Sequence, residues 1–277
     1  MKLIAGPSSP LLAKRLSEAA KIDIADTTYR KFPDGELYVR VNDASDDRYV
    51  VVNSINSNED LIYLLLIFEA LSEKEVIAVI PYMGYARQDR AFLEGEAVSI
   101  RAIARLIESY AERVITVNIH SNEAKNHFRK LVEVDAMPLI GEHYLERDVV
   151  MLSPDRGSLS RVKVAAQVAG CDFDYLEKTR IDAENVVIQP KNLDVGGRKV
   201  VIVDDIISTG GTMVTAAKQL MGNAEGVEAA CVHAVLASNA LNKLYSAGIS
   251  EVISTDTVER QVSKLSAAEL ISEVILN

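Results

Sequence analysis

Short runs of β-branched residues alternate with amphipathic helical patterns along almost the whole chain of 277 residues. The runs read KLIA, YVVVNS, VIAVIP, RVITVNI, VVMLS, KVVIVDD and AACVHAVLA. Strands that are apolar throughout are typical of a parallel sheet covered on both faces, and the intervening helices supply its crossovers. The alternation therefore predicts an α/β fold with mostly parallel sheets and helices on both faces.

The alternation restarts after residue 148, and the two halves can be laid over each other. A shift of 147 residues places KLIAGPSSPLLAKRLSEAA over VVMLSPDRGSLSRVKVAAQ, and Lys31 over Lys178. A shift of about 151 places VVVNSINSNEDLIYLLLI over VIVDDIISTGGTMVTAAK. Because the order of strand, small-residue loop and helix is kept, we predict two similar domains, residues 1–145 and 146–277. We expect that the last helix can pack back on the first domain.

The stretch VVIVDDIISTGGT, residues 200–212, sets two adjacent acids at the end of an apolar strand and before a turn of small residues. The turn leads into a helix, whose first N–H groups and positive dipole end suit a phosphate. Glycines let the backbone approach the anion, and hydroxyl groups add donors. We expect the phosphate to be held by Ser208, Thr209, Gly210, Gly211 and Thr212.

The two acids, Asp204 and Asp205, cannot bind that phosphate themselves. Their carboxylates can accept hydrogen bonds from the hydroxyls of a sugar attached to it, or can hold a magnesium ion. The alternatives are an ordinary capped turn and a nucleotide P-loop, and the P-loop is disfavoured because its lysine is missing. We therefore predict a sugar 5-phosphate site. The first domain has Asn53 and Ser54 at the matching place and no paired glycines, so we expect it to have lost such a site.

Charge and apolar runs narrow the classes of partner. The net charge of −10 argues against a general nucleic-acid binder, which needs clustered lysines and arginines. The longest apolar run, LIYLLLIFEAL at 61–71, has about half of the roughly 20 residues that a membrane span needs. Cys171 and Cys231 lie far apart without metal-ligand spacing, which is typical of reduced core cysteines in a cytoplasmic protein. We expect neither a nucleic-acid partner nor a membrane partner.

Six stretches together resemble the motifs of the ribose-phosphate pyrophosphokinase (phosphoribosyl-pyrophosphate synthetase) family, in the order of that family. They are KFPDGELYVR at 31–40, YARQDR at 85–90, NIHSNE at 118–123, SPDRGS at 153–158, EKTR at 177–180 and VDDIISTGGT at 203–212. The resemblance implies two phosphoribosyltransferase-type domains. It also implies transfer of diphosphate from MgATP to the anomeric hydroxyl of ribose 5-phosphate, with release of AMP, for nucleotide biosynthesis.

The resemblance assigns two stretches to ATP, although each has a simpler interpretation. FPDGE alone is a turn, and YARQDR alone is a solvated, salt-bridged helix start. In the family, the first stretch reaches across a subunit interface to the adenine, which implies a homo-oligomer of at least two subunits with a shared ATP site. The residues so assigned are Phe32, Asp34, Gly35, Glu36, Arg87, Gln88, Asp89 and Arg90.

Two further pairs complete the expected site. His120 and Asp155 each follow an apolar strand, at the carboxyl ends where α/β sheets bind ligands, and together they form a plausible Mg²⁺ site. Lys178 and Arg180 alternate in a polar segment and could be a simple surface charge pair. The resemblance instead implies that both are catalytic, closing over the reacting phosphates, and that Arg180 also contacts ribose 5-phosphate.

The chain departs from the family pattern near both expected metal ligands. Asn118 stands where many members have an aspartate, and HSNE differs after the histidine. Arg156 and Ser158 stand in PDRGS where members usually have other residues. Two rival functions stay open: a phosphoribosyltransferase that consumes the activated sugar, and a non-catalytic regulatory relative.

Overall fold

The computed structural model describes residues 1–180 and 186–277, with the side chains of residues 178–180 and 186–188 outside that description. The chain divides into two compact units. Unit 1 comprises Met1–Asp135, Asp256–Glu259 and Ser266–Asn277, and unit 2 comprises Ala136–Thr255 and Arg260–Leu265.

Unit 1 is built on a five-stranded parallel sheet. In spatial order its strands are β1 (Lys2–Ala5), β4 (Arg48–Val52), β5 (Glu75–Ile80), β6 (Arg113–Val117) and β7 (Leu131–Val134). A separate antiparallel hairpin joins β2 (Thr27–Lys31) to β3 (Leu37–Val41). The helices are α1 (Pro10–Ala20), α2 (Asn58–Ala70), α3 (Ser99–Tyr110), α4 (Asn122–Lys125) and α9 (Ala268–Leu276).

The apolar run at 61–71 forms most of α2 and its C-cap residue Leu71. The helix buries Tyr63, and it contributes Leu64, Ile67 and Phe68 to the core of unit 1. Ser57 caps this helix by accepting a hydrogen bond from the N–H of Asp60. Within the described ranges, no helix is both long and apolar enough to cross a membrane.

Unit 2 is built on a seven-stranded sheet in which only the edge strand is antiparallel. In spatial order its strands are β10 (Val186–Pro190), β9 (Asp172–Arg180), β8 (Val149–Ser153), β11 (Lys199–Ile207), β12 (Gly226–Ala234), β13 (Val252–Thr255) and β14 (Ser263–Leu265). The helices are α5 (Met137–His143), α6 (Leu159–Ala169), α7 (Gly211–Leu220) and α8 (Ala240–Ser246). Cys231 is buried in β12, Cys171 is half-buried, and neither forms a disulfide.

The two sheets repeat one strand order. The order β1-β4-β5-β6-β7 in unit 1 matches β8-β11-β12-β13-β14 in unit 2, and a hairpin follows the first helix in both. Buried strands with little polar sequence form the centre of each sheet, as expected for strands covered by helices. The predicted α/β class with mostly parallel sheets is confirmed.

The units do not divide the chain at residue 145. Unit 2 begins at Ala136 because α5 packs closely on α6, where a Cβ atom on Gly141 would lie 2.4 Å from the carbonyl oxygen of Ala165. At the other end, α9 belongs to unit 1 and packs on α1. Short-range patterns do not reveal such packing, since it depends on contacts between distant segments.

Candidate active site

The acid pair lies inside β11, beyond the last residue of this strand that pairs with the neighbouring strand β8. The last registered pair of β8 and β11 is Leu152 with Ile202, whereas β11 continues beside β12 as far as Ile207. The strand therefore ends beyond Asp204 and Asp205, not at them as the sequence suggested. The acids therefore lie at the carboxyl end of the sheet, past the last residue of β11 that pairs with β8, and α/β folds bind ligands at this end.

Two residues from the start of α6 contact the acids. Ser158 donates from its hydroxyl to Oδ1 of Asp204 at 2.9 Å, and the same oxygen accepts the N–H of Asp205 at 2.9 Å. Arg161 pairs through Nη1 with Oδ2 of Asp205 at 3.0 Å. Asp205 is only 4% exposed, whereas Asp204 is half-buried. The two carboxylates therefore have different surroundings.

The surroundings of Asp204 change its acidity. Burial is the main cause, and the adjacent charge of Asp205 adds to it, so that the pKa of Asp204 rises to about 7. Near neutral pH Asp204 is therefore present in both its protonated and its ionised form. An ionised carboxylate accepts hydrogen bonds from sugar hydroxyls, and a protonated carboxyl can also donate one.

The turn after β11 has the features of a phosphate cradle. Gly210 adopts a left-handed conformation with φ of 73° at the N-cap of α7, and among the described residues no side chain caps this helix. Its first turn contains no acidic residue, so the N–H groups and the helix dipole face no negative side chain of that turn. A Cβ atom at Gly210 would also meet the side chain of Leu244 at 3.4 Å. Ser208 is half-buried, and Thr209, Gly211 and Thr212 are exposed.

The loop after β8 connects Asp155 to the acid pair through Ser158, which contacts both Asp155 and Asp204. Oδ1 of Asp155 accepts the N–H of Ser158 at 3.1 Å, and Ser153 donates to the carbonyl of Asp155 at 2.5 Å. The Asp155 carboxylate is exposed and offers hard oxygen atoms of the kind that Mg²⁺ prefers. In the described part of the chain, no three histidine, cysteine or acidic side chains form a metal-binding cluster.

Lys178 and Arg180 are placed only through their backbone. Both belong to β9, where Lys178 is opposite Ile188 and Arg180 is opposite Val186 of β10. Their side chains lie outside the described residues, so their catalytic role stays a prediction.

The matching place in unit 1 is closed by the protein itself. The Asn53 side chain accepts from the hydroxyl of Ser8 at 2.9 Å and donates to the carbonyl of Asp60 at 3.0 Å. Ser54 donates to the carbonyl of Thr257 at 2.6 Å, and both Asn53 and Ser54 are fully buried. These internal contacts leave neither side chain available to a ligand.

The FPDGE stretch forms the exposed tip of the β2–β3 hairpin. Gly35 has φ of 100°, a conformation that strongly favours glycine, and its N–H donates to the carbonyl of Phe32 at 2.9 Å. The N–H of Glu36 donates to the Asp34 carboxylate at 3.2 Å. The Phe32 ring is 49% exposed, so this tip presents an aromatic face and two acids to solvent.

The YARQDR stretch is a loop that turns one acid inward and leaves its arginines exposed. Asp89 is 7% exposed and accepts a hydrogen bond from Ser121 at 2.5 Å. His127 contacts the carbonyl of Asp89 through Nε2 at 2.8 Å. Arg87 and Arg90 are exposed. Asp89 therefore ties the loop to the segment after β6, a role that the sequence did not reveal.

The half-buried His120 follows β6, in a segment that two acids hold. Glu133 accepts the N–H of Ile119 at 2.9 Å, and Asp135 accepts from the Asn118 side chain at 2.7 Å. His120 belongs to unit 1, whereas Asp155 belongs to unit 2. An ionised aspartate in place of Asn118 could not donate this hydrogen bond to Asp135.

Two family models match the chain. Residues 1–110 match the N-terminal domain of ribose phosphate pyrophosphokinase, and residues 130–267 match the phosphoribosyl transferase domain. The ribose-phosphate pyrophosphokinase 2 of Archaeoglobus fulgidus is 60% identical over 99% of this chain and 100% of its own length. The ribose-phosphate pyrophosphokinase of Methanosarcina acetivorans is 43% identical over 99% of both chains.

A solved structure is similar along the whole chain. The crystal structure of phosphoribosylpyrophosphate synthetase from Mycobacterium smegmatis has a TM-score of 0.84 and 29% sequence identity. The match covers 99% of this chain and 97% of that chain.

Proposed function

The chain belongs to the ribose-phosphate pyrophosphokinase family, and we propose that it transfers diphosphate from MgATP to the anomeric hydroxyl of D-ribose 5-phosphate. The products are 5-phosphoribosyl 1-diphosphate, which feeds nucleotide biosynthesis, and AMP. The family and the class of enzyme that the six motifs suggested are confirmed by the relatives. The observation that carries the proposed substrate is the acid pair in the C-terminal half of β11, followed by the glycine turn that opens α7, where no side chain of the described residues caps the helix.

We assign the sugar phosphate to unit 2. Its phosphate binds at the start of α7, through residues 208–212, and its hydroxyls bind Asp204 and Asp205. The chemistry supports this division, because N–H groups and a helix dipole suit the anion whereas carboxylates suit hydroxyls. Arg180 adds a guanidinium to the sugar phosphate in this proposal.

We assign ATP to the YARQDR loop and to the hairpin tip of a second subunit. Arg87 and Arg90 are exposed and can bind triphosphate oxygens, with Gln88 beside them. Asp89 holds the loop through Ser121. The hairpin tip, with Phe32, Asp34, Gly35 and Glu36, is exposed as contact with another subunit requires. The enzyme then acts as a homo-oligomer of at least two subunits, and we place it in the cytoplasm.

The proposed reaction is an in-line displacement at phosphorus. The anomeric oxygen forms a bond to the β-phosphorus of ATP, the bond from that phosphorus to the AMP oxygen breaks, and the hydroxyl proton passes to solvent. Such transfers depend mostly on positioning and charge neutralisation. Lys178 and Arg180 stabilise the charge that develops on the phosphates.

His120 and Asp155 are the residues that would hold Mg²⁺. The exposed Asp155 carboxylate fits the ion, and its bond from the N–H of Ser158 fixes its orientation. Magnesium neutralises phosphate charge and orients a nucleoside triphosphate.

A coupled assay for AMP tests this proposal. We expect AMP release from MgATP to require ribose 5-phosphate, with one 5-phosphoribosyl 1-diphosphate formed per AMP, seen by ³¹P NMR. Asp204→Asn is the matched variant, because it changes one sugar contact and keeps the side-chain size. Sugar-independent ATP hydrolysis, or no turnover with intact nucleotide binding, would refute the proposed reaction.

A further inference from the structure

A continuous set of contacts runs from Asp155 to the acid pair through the start of α6. The backbone of Ser158 binds the Asp155 carboxylate, and its side chain binds Asp204. One turn later, Arg161 pairs with Asp205. We call Ser158 and Arg161 the α6 clamp.

The acid pair needs such a clamp for physical reasons. Two adjacent carboxylates repel each other, and a buried carboxylate is costly unless a cation or donors satisfy it. Asp205 is 4% exposed, and the guanidinium of Arg161 is the cation that offsets its charge. Asp204 has more solvent access, and Ser158 restricts its orientation from one side.

We propose that Ser158 and Arg161 are positioning residues for ribose 5-phosphate: Ser158 orients Asp204 toward the sugar hydroxyls, while Arg161 offsets the charge of Asp205 behind it. Asp204, the more exposed of the two, is then the carboxylate that Ser158 orients, and Asp205 makes its sugar contact with its charge already offset by Arg161. This inference rests on the proposed function, since it assumes that the acid pair binds the sugar.

The chain offers a substitution that isolates the contact with Asp204. Ser158→Ala removes the hydroxyl but keeps the N–H that binds Asp155, so the loop after β8 stays anchored. Ser158→Thr restores a hydroxyl at the same atom. Ser160→Ala is the matched control, because Ser160 is an exposed serine at the start of the same helix.

Steady-state kinetics and calorimetry test the role of Ser158. In Ser158→Ala we expect the KM for ribose 5-phosphate to rise about 5- to 10-fold, the loss expected for one hydrogen bond, with the KM for ATP and kcat within twofold. Ser158→Thr should recover most of the loss, and Ser160→Ala should match the wild type. An unchanged sugar KM in Ser158→Ala would overturn the inference, as would an equal loss for sugar and ATP.

A double-mutant cycle tests Arg161. Arg161→Met should weaken sugar binding at least tenfold, while Lys163→Met on the same helix should not. Because Arg161→Met leaves a buried charge and can unfold the protein, the cycle includes Asp205→Asn and the double variant, in which both partners are neutral. We expect the double variant to bind the sugar better than Arg161→Met alone. Strictly additive losses would refute the coupling.

Calorimetry with ribose 5-phosphate separates this inference from the proposed function. A wild type that binds the sugar but releases no AMP contradicts the proposed reaction and leaves the α6 clamp testable through sugar affinity. A wild type that is active, with a Ser158→Ala variant of unchanged sugar affinity, contradicts only the clamp.

Discussion

The side-chain amide of Asn118 donates a hydrogen bond to the carboxylate of Asp135 at 2.7 Å, directly ahead of the segment that carries His120. Asn118 has φ of 36°, a conformation that asparagine and aspartate both tolerate better than most residues. The choice of amide over acid is therefore explained by the partner. An acid at both positions would place two like charges together.

Asn118→Asp should lower the stability of unit 1. The new carboxylate loses the hydrogen bond and faces Asp135, which we expect to cost about 1–3 kcal/mol of unfolding free energy. Thermal unfolding followed by circular dichroism measures the loss. Adding Asp135→Asn reverses donor and acceptor and should restore most of the stability, whereas an Asn118→Asp protein as stable as the wild type would contradict the explanation.

The pH dependence of sugar binding should follow Asp204. Because burial and Asp205 raise the pKa of Asp204 to about 7, its carboxylate becomes the better acceptor for sugar hydroxyls as pH rises through neutrality. Between about pH 6 and pH 8 the ionised fraction grows about tenfold, and the affinity for ribose 5-phosphate should rise with it. Calorimetry across this range gives the profile, and Asp204→Asn should flatten it.

Folding stability should change with the opposite sign. The folded chain binds this proton more tightly than the unfolded chain does, so Asp204 contributes most at low pH. Its contribution is lost as pH rises from the ordinary carboxyl range toward 7. As pH rises over this interval, the Tm of Asp204→Asn should therefore increase relative to the Tm of the wild type. If the difference in Tm between the two proteins does not vary with pH, folding does not raise the pKa of Asp204.

Asp256 should matter to the stability of unit 1 more than its surface neighbours do. It is 1% exposed, pairs with Arg15 at 2.6 Å, and accepts the N–H of Ala267 at 2.9 Å. Asp256→Asn should cost about 1–3 kcal/mol, because an ionic acceptor of two donors is lost. Glu18→Gln, which breaks an exposed pair with Lys14, should cost less than about 0.5 kcal/mol. Urea unfolding of both variants gives the comparison, and equal losses would argue against a special role for Asp256.

Local sequence patterns correctly predicted the strands, turns and helices that consecutive residues specify. The apolar strand, the acid pair and the glycine turn predicted that a helix follows this turn, and α7 begins at Gly211. Contacts between distant segments are not specified in this way. The sequence identified Ser158 as a departure from the family pattern. Its hydrogen bond to Asp204 could not be foreseen, because it depends on the pairing of β8 with β11.

The sequence also did not predict the direction in which a polar side chain points. Asp89 lies between the half-buried Gln88 and the exposed Arg90, and no sequence periodicity distinguishes an acid that turns inward to Ser121 from one that faces a ligand. Arg161 looked like any charged residue on a surface helix, although an arginine in the first turn of α6, in the domain that carries an acid pair, could have been noticed.

The hairpin tip gives a test of a site shared between subunits. If Asp34 and Glu36 of one subunit serve the ATP site of another, a protein with Asp34→Ala and Glu36→Ala can complement one with Lys178→Ala. In a mixed dimer, one site then has both defects and the other has none. Equal mixing makes about half of the dimers mixed, so about one quarter of the wild-type activity should return from two inactive proteins.

The same mixture excludes the alternative in which each tip serves its own chain, because every site would then keep one defect and no activity would return. Subunit exchange is verified by native mass spectrometry of tagged chains, and each variant alone gives the baseline. Gly35 has φ of 100°, so Gly35→Ala distorts the tip without removing either acid. Mixed with Lys178→Ala, it should recover activity in the same proportion, which would show that the shape of the tip acts across the interface along with its charge.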